Sequence, residues 1–169
     1  MTRYRIVPER SRLWADARSS LHPIHVETKG FEGYIDVEIA DGHLDLRTAP
    51  QAHVEIDAGR LKSGNALYDY ELERRLEVRK YPRLKGDVKQ VDALDSGDRY
   101  RVTGELLFHG VAGRVQGEVT VRVHGDTLEV EGEQVIDMRN FGLDPPRILM
   151  LRVQPEVHVR ANVIAERER

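Results

Sequence analysis

Residues 115–136, VQGEVTVRVHGDTLEVEGEQVI, decide the fold that this sequence predicts. Apolar or small residues alternate with polar ones on both sides of Gly125 and Asp126, first over 115–123 and then over 128–136. Strict alternation is typical of strands with one buried and one exposed face, and a Gly-Asp pair between two such runs signals a turn. The stretch therefore predicts an antiparallel β-hairpin.

The same period of two recurs along most of the chain. It is found in the segments 31–39, 52–58, 102–108 and 157–163. Turn signals separate these runs at Asp41-Gly42, Ser96-Gly97-Asp98 and His109-Gly110. Amphipathic strands of this kind are typical of antiparallel sheets that cover a core with one face.

One segment departs from the alternation. Residues 65–80 are predicted to form a helix that stops before Pro82. Three side chains at four-residue spacing share one face of it: Tyr68, Leu72 and Leu76. A single helix among many strands does not make a series of βαβ units, so the sheet is expected to be antiparallel.

Composition restricts the class of protein. The 169 residues fit one domain, 1–169, and carry a net charge of −3 with acids and bases interspersed. Nucleic acid is excluded as an expected partner, because phosphate binding needs clustered Lys and Arg. The start, MTRYRIVPERSR, has no apolar core of a signal peptide, and no apolar run reaches membrane-spanning length. We therefore expect a cytoplasmic protein without stable membrane insertion.

Two architectures accommodate so many amphipathic strands. They can form a sandwich, or they can close into a barrel, which removes exposed sheet edges. About eight strands leave a barrel interior that side chains fill or that holds one small ligand. Composition alone leaves both architectures open.

Five motifs occur in order along nearly the whole chain. They are Tyr4–Val7 followed by Ser11-Arg12-Leu13, then Phe31-Glu32-Gly33-Tyr34-Ile35, then Asp69 and Leu72 with Lys80-Tyr81-Pro82, then Gly104–Val111, and finally Arg139-Asn140-Phe141-Gly142. In this order and spacing the chain resembles the YceI-like family of lipocalin-like barrels that bind polyisoprenoid lipids. The resemblance implies an all-β fold with one short helix: a closed antiparallel lipocalin-like β-barrel of about eight strands, with the first strand beside the last.

The chain departs from the family pattern at several positions. Ala15 and Gly86 stand where the family often has Phe, Leu107 replaces a Thr, and Ala112-Gly113 replaces a Thr-Lys pair. Residues 19–28 are also unlike the common form. Because two aromatic rings are missing, we expect a wider or reshaped lumen, so the identity of the ligand does not follow from the resemblance.

The resemblance implies that the lumen holds an apolar lipid for storage or transport, such as a quinone tail or a polyprenyl phosphate, without catalysis. Strand alternation and the family motifs together predict the lumen residues. They are Leu13, Ala15, Ala17, Phe31, Ile35, Val54, Ile56, Leu84, Val88, Leu106, Phe108, Val119, Val121, Val130, Val157 and Val159.

No cofactor and no metal are expected. The chain has seven histidines and no cysteine, and His22 and His25 are the only close pair. A zinc site would need three or four convergent nitrogen or sulfur ligands, whereas the other histidines fall on the outward positions of their strands. Asp69 and Arg139 are interpreted first as residues that cap or pair within the structure. The alternative is that they line the mouth of the barrel.

Two other functions stay open at this point. An enzyme could use the same lumen on an amphipathic substrate, and convergent titratable groups inside the barrel would indicate it. An interaction module would have a filled core and an exposed apolar patch, for which Ile148-Leu149-Met150-Leu151 is the candidate unless this stretch continues the strand of Val157. A homodimer also stays open.

Overall fold

The structure is a computed structural model that describes residues 1–95, 97–144, 147–148 and 151–169. Its strands are β1 (Thr2–Ile6), β2 (Arg12–Ser19), β3 (Ile24–Lys29), β4 (Glu32–Val37), β5 (Ile39–Ala40), β6 (His43–Leu44), β7 (Gln51–Asp57), β8 (Arg83–Ala93), β9 (Arg99–Phe108), β10 (Val111–His124), β11 (Thr127–Asp137), β12 (Arg147–Ile148) and β13 (Leu151–Arg167). The helix α1 spans Ala66–Arg75, and short 3₁₀ turns lie at Pro8–Arg10, Ala58–Arg60 and Met138–Phe141.

The strands close into an antiparallel barrel, as predicted. The long strand β13 pairs with β1 near its end and with β2 further back, so β1 and β2 share one position in the wall. β4 and β3 share the next position, because β4 pairs with β1 and β3 pairs with β2. With β7, β8, β9, β10, β11 and β13, the described chain forms an eight-position barrel. The first strand lies beside the last, where Tyr4 faces Arg167.

The hairpin predicted from residues 115–136 is confirmed. β10 and β11 pair from His124 and Thr127 at the turn to Glu118 and Glu133, with Gly125 in the left-handed region at φ +62°. Both strands are longer than the alternation indicated. The last strand is also longer than the predicted 157–163, and its pairing with β2 shifts register between Val153 and Val157.

The helix is shorter than the predicted 65–80. It ends because Glu77 adopts a left-handed conformation, φ +50°, just beyond the last turn. The backbone N–H of Glu77 donates to the carbonyl of Arg74, and that of Val78 donates to the carbonyl of Glu73, which is the Schellman pattern of hydrogen bonds. Glycine usually occupies this position and marks the end of a helix in the sequence. Because Glu77 stands here instead, the sequence showed no stop signal before Pro82. In the described chain, no helix has both the length and the apolar character needed to cross a membrane.

One end of the barrel, which we call the closed end, is filled by side chains. Tyr4, Val37, Leu128 and Ala165 form a cluster in which no side chain is more than 4% exposed. The small hairpin β5–β6 covers this cluster, and the hydroxyl of Tyr100 accepts a hydrogen bond from its Leu44 N–H. Burial raises the pKa of the Tyr4 hydroxyl above its ordinary value.

The opposite end, which we call the capped end, lies under α1. Ile24, Leu151 and Val153 form a buried cluster there, and Tyr68 of α1 packs against it. Leu151 is only 4% exposed and belongs to β13, so it is not part of an exposed patch, and the strand interpretation of this residue was the right one. Leu149 and Met150 of that candidate patch lie outside the described residues, as do Pro145, Pro146 and Ser96.

Candidate ligand-binding lumen

A cavity of about 470 Å³ occupies the barrel between the closed end and the capped end. Its wall is built mainly from alternate residues of the barrel strands, whose side chains are small or aliphatic. Ile6, Phe31 and Ile56 form a buried cluster on one side of it. The lumen is therefore open rather than filled by its own side chains.

Most of the predicted lumen residues line this cavity. They are Leu13, Ala15, Phe31, Ile35, Val54, Ile56, Leu84, Val88, Leu106, Phe108, Val119, Val130, Val157 and Val159.

Ala17 and Val121 do not line the cavity. Ala17 packs against the Ile24, Leu151 and Val153 cluster of the capped end. Val121 is 8% exposed and lies outside the cavity, beyond Val119 on the same strand. Both residues have the expected inward parity, but they lie at other levels along the barrel axis.

The cavity has further lining residues beyond that set. They are Ile6, Tyr34, Ala52, His53, Leu61, Gly86, Asp87, Val102, Gly104, Glu105, Val115, Gln116, Gly117, Glu118, Gly132, Glu133, Gln134, Ile136, Met138, Ala161 and Val163. Most share the parity of predicted neighbours, so a complete list of inward positions would have contained them. Leu61 and Met138 lie outside the strands, where alternation carries no signal.

The two positions that lack the family's aromatic rings both face the cavity. Ala15 lies opposite Val159 and Val26 in the wall, and Gly86 lies opposite Val54. A Cβ atom added at Gly86 would come 3.1 Å from Val54 Cγ1, so this wall segment is closely packed against its neighbour.

Phe141 explains the motif at residues 139–142. It is 2% exposed and packs edge-on against Phe108, with 5.6 Å between ring centroids. A Cβ atom on Gly113 would lie 2.7 Å from the Phe141 ring, so the ring needs a glycine in β10. Gly142 follows in the left-handed conformation, φ +70°, and ends the 3₁₀ turn. This motif builds the wall near the capped end.

The wall is split between β10 and β11. Their pairing stops at Glu118 and Glu133, although β10 continues back to Val111 and β11 continues to Asp137. A second recess of about 850 Å³ lies on the outer surface here, beside Trp14 and Arg160. The lumen and this outer recess share lining residues at the split: Gln116, Gly117, Glu118, Val119, Gly132, Glu133, Gln134 and Ala161.

Four histidines contact carboxylates rather than one another. The contacts pair His25 with Asp16, His53 with Asp87, His109 with Glu77, and His158 with Glu133. His22 contacts the hydroxyl of Tyr68 at 3.3 Å. Among the described residues no three His, Asp or Glu side chains converge in a way that could hold a metal ion.

Asp69 and Arg139 make local contacts. The Asp69 carboxylate accepts hydrogen bonds from the backbone N–H and the hydroxyl of Ser63, both at 2.7 Å, which fixes the chain before α1. Arg139 pairs with Asp137 at 2.6 Å. These contacts fit the structural interpretation.

Comparison with known proteins agrees with this architecture. The family model described as YceI-like domain matches residues 4–165. Among curated proteins, none is significantly similar to the chain.

Solved structures share the fold at low sequence identity. BcnA of Burkholderia cenocepacia has a TM-score of 0.79 at 21% identity, covering 94% of this chain and 98% of its own. A polyisoprenoid binding domain from Saccharophagus degradans, implicated in plant cell wall breakdown, has a TM-score of 0.79 at 18% identity and covers 99% of this chain and 100% of its own. A YceI protein of Campylobacter jejuni has a TM-score of 0.70 at 15% identity, covering 86% of this chain and 85% of its own.

Proposed function

The chain belongs to the YceI-like domain family, and we propose that its lumen binds the hydrocarbon chain of a polyisoprenoid lipid, which the protein stores or transports without chemical change. The observation that carries this proposal is the cavity of about 470 Å³ with an aliphatic wall. The polyisoprenoid binding domain of Saccharophagus degradans, which has the same fold, supports the choice of ligand class.

Energetics favour an occupied lumen. At about 24 cal/mol per Å³, an empty apolar cavity of 470 Å³ would cost about 11 kcal/mol. That cost is similar to the entire stability of an ordinary domain, about 5–15 kcal/mol. Water in the lumen would find few hydrogen-bond partners on an aliphatic wall, whereas each CH₂ group of a lipid gains about 0.8 kcal/mol on burial.

The volume also limits the ligand. The part of a prenyl chain that exceeds the cavity of about 470 Å³ would lie outside the lumen. Affinity should therefore rise with chain length and then level off once the lumen is full, because only buried CH₂ groups contribute.

The lining also favours binding over catalysis. An enzyme would need titratable groups that face the reacting atoms. Among the described lining residues, the side chains on inward positions are apolar apart from the Gln134 amide. The carboxylates that border the lumen, such as Glu118 and Glu133, pair with Arg99 and His158 on the outer surface.

The test is to extract purified protein with organic solvent and identify the lipid by mass spectrometry. Delipidated protein is then titrated with prenyl alcohols of increasing length. At a hundredfold excess over Kd, a bound ligand adds about 2.7 kcal/mol, which raises Tm by about 5–10 °C for a chain of this size. A lipid-free extract together with an unchanged Tm for every prenyl alcohol would refute the proposal.

A further inference from the structure

One lumen side chain differs in chemistry from all its neighbours. Gln134 lies on β11 opposite Val159, between Glu133 and the exposed Val135. Strand alternation therefore directs its side chain into the lumen. Among the described residues that line the cavity from inward positions, it carries the only polar side chain.

Gln134 sits at the split in the barrel wall. It is the first residue of β11 beyond the last pair with β10, which joins Glu118 and Glu133. Its Oε1 atom lies 3.2 Å from the place where a Cβ atom of Gly117 would stand. The amide thus reaches across the split to β10, and it has room to do so because residue 117 is a glycine.

The amide is free to bind. In the part of the chain that the structure describes, the Gln134 side chain makes no hydrogen bond, whereas Gln116 across the split donates to the Thr103 hydroxyl at 3.2 Å. No described side-chain polar atom is both buried and without a partner, so the Gln134 amide faces open space rather than packed atoms. An amide in an aliphatic cavity offers both a donor and an acceptor to whatever occupies that space.

The surroundings discriminate between neutral and anionic partners. No Lys or Arg is among the described residues that line the lumen itself. Three arginines line the outer recess that meets the lumen at the split. Arg99 and Arg101 pair there with Glu118, and Arg160 lies over the Trp14 ring. A phosphate or carboxylate on the lumen side would therefore lose its hydration without gaining a cation. A hydroxyl or carbonyl needs only the hydrogen bond that an amide supplies.

Building on the proposed lipid binding, we infer that Gln134 recognises an uncharged oxygen of the lipid, a hydroxyl or a carbonyl, at the split between β10 and β11. The lumen thereby selects lipids with a neutral polar group over those with an anionic head. Gln134 is thus a specificity-determining residue, and the apolar chain supplies most of the affinity.

The test uses three ligands with the same chain: farnesol, farnesyl phosphate and the parent hydrocarbon farnesene. Wild-type protein should bind farnesol more tightly than either of the others. In Gln134→Leu, which has a similar volume, farnesol should bind about three- to tenfold more weakly, the amount expected for one neutral hydrogen bond. Farnesene should bind that variant as well as before or better.

The matched control is Gln90→Leu, which removes a strand amide that donates to the Asp92 carboxylate outside the lumen and should leave all three affinities unchanged. If Gln134→Leu does not fold, as judged by its thermal unfolding, Gln134→Met makes the same comparison. The inference would be overturned if Gln134→Leu lost equal affinity for farnesol and farnesene, or lost no affinity for farnesol. It would also be overturned if wild-type protein preferred farnesyl phosphate. Lipid binding itself would stand in each of these cases. Failure of the wild type to bind any of the three would overturn the proposed function as well.

Discussion

Replacing Ala15 by Phe tests whether the lumen is open space. Ala15 lines the cavity and faces Val159 and Val26 in the wall, so a ring at this position would project into the volume assigned to the ligand. Ala17 offers a matched control, since it lies two residues further on the same strand face but packs against the buried cluster of the capped end.

The two substitutions should change stability in opposite directions. Burial of a Phe side chain in available space gains about 1.5–3 kcal/mol, whereas forcing it into a packed cluster costs about 1–3 kcal/mol. A chain of this size changes Tm by about 2–4 °C per kcal/mol. Delipidated Ala15→Phe should therefore melt about 3–12 °C above wild type, and Ala17→Phe should melt about 2–12 °C below it.

Ligand binding provides the second measurement. The ring introduced by Ala15→Phe would occupy volume that a prenyl chain needs, so the affinity of this variant for farnesol should fall by at least about tenfold, given that two lost CH₂ contacts already cost about 1.6 kcal/mol. Differential scanning calorimetry of delipidated protein gives the first quantity, and isothermal titration gives the second. If Ala15→Phe lost stability as Ala17→Phe does and bound farnesol as wild type does, the reasoning from an open lumen would be wrong.

Three further predictions concern the barrel itself. Leu128 is fully buried in the closed end, so Leu128→Ala should lower the free energy of unfolding by about 2–5 kcal/mol in urea titrations; a loss below about 1 kcal/mol would contradict the packing described there. The Arg3 guanidinium donates to the Asp36 carboxylate at 2.8 Å and lowers the pKa of that carboxyl. The pair therefore stabilises the fold above the unfolded-state pKa of about 3.9, and this stabilisation is lost as pH falls through the lower folded-state pKa. Asp36→Asn should flatten the dependence of stability on pH in that acid range, and an unchanged profile would argue against the pair. The Asp16 carboxylate accepts a hydrogen bond from His25 Nδ1 at 2.6 Å and raises the pKa of His25. The stabilisation that this pair gives the fold is complete below about pH 6.5 and is lost as pH rises through the higher folded-state pKa. His25→Gln should remove this loss of stability with rising pH, and the control His43→Gln should keep it.

Strand alternation was sufficient to predict the barrel wall. The run 115–136 became the hairpin β10–β11, and most residues with inward parity at the middle of the chain's strands line the cavity. Successive side chains of a strand point to opposite faces, and one face of a barrel must be apolar, so the pattern of residues determines which side chains face inward. The family resemblance added closure, which alternation alone left open against a sandwich.

Local backbone conformation limited the prediction of the helix. Glu77 ends α1 in a left-handed conformation without the glycine that usually marks such an end, and its carboxylate contacts His109 at 2.6 Å. His109 is itself left-handed, φ +54°, at the tip of the β9–β10 hairpin. The two residues are 32 positions apart, so their contact exists only once the barrel has formed.

Parity alone could not say where along the barrel axis an inward residue would lie. Ala15 and Ala17 share one face of β2, yet one lines the lumen and the other is packed under α1. That difference depends on the register of β2 against β13, on the shift between Val153 and Val157, and on the position of the cap. The sequence by itself determined which side chains face inward, because alternation is a local property of the strand. Only the tertiary structure decided which of them border open space, and that Gln134 stands at the split in the wall, because the level of each residue and the end of each pairing follow from strand register around the whole barrel.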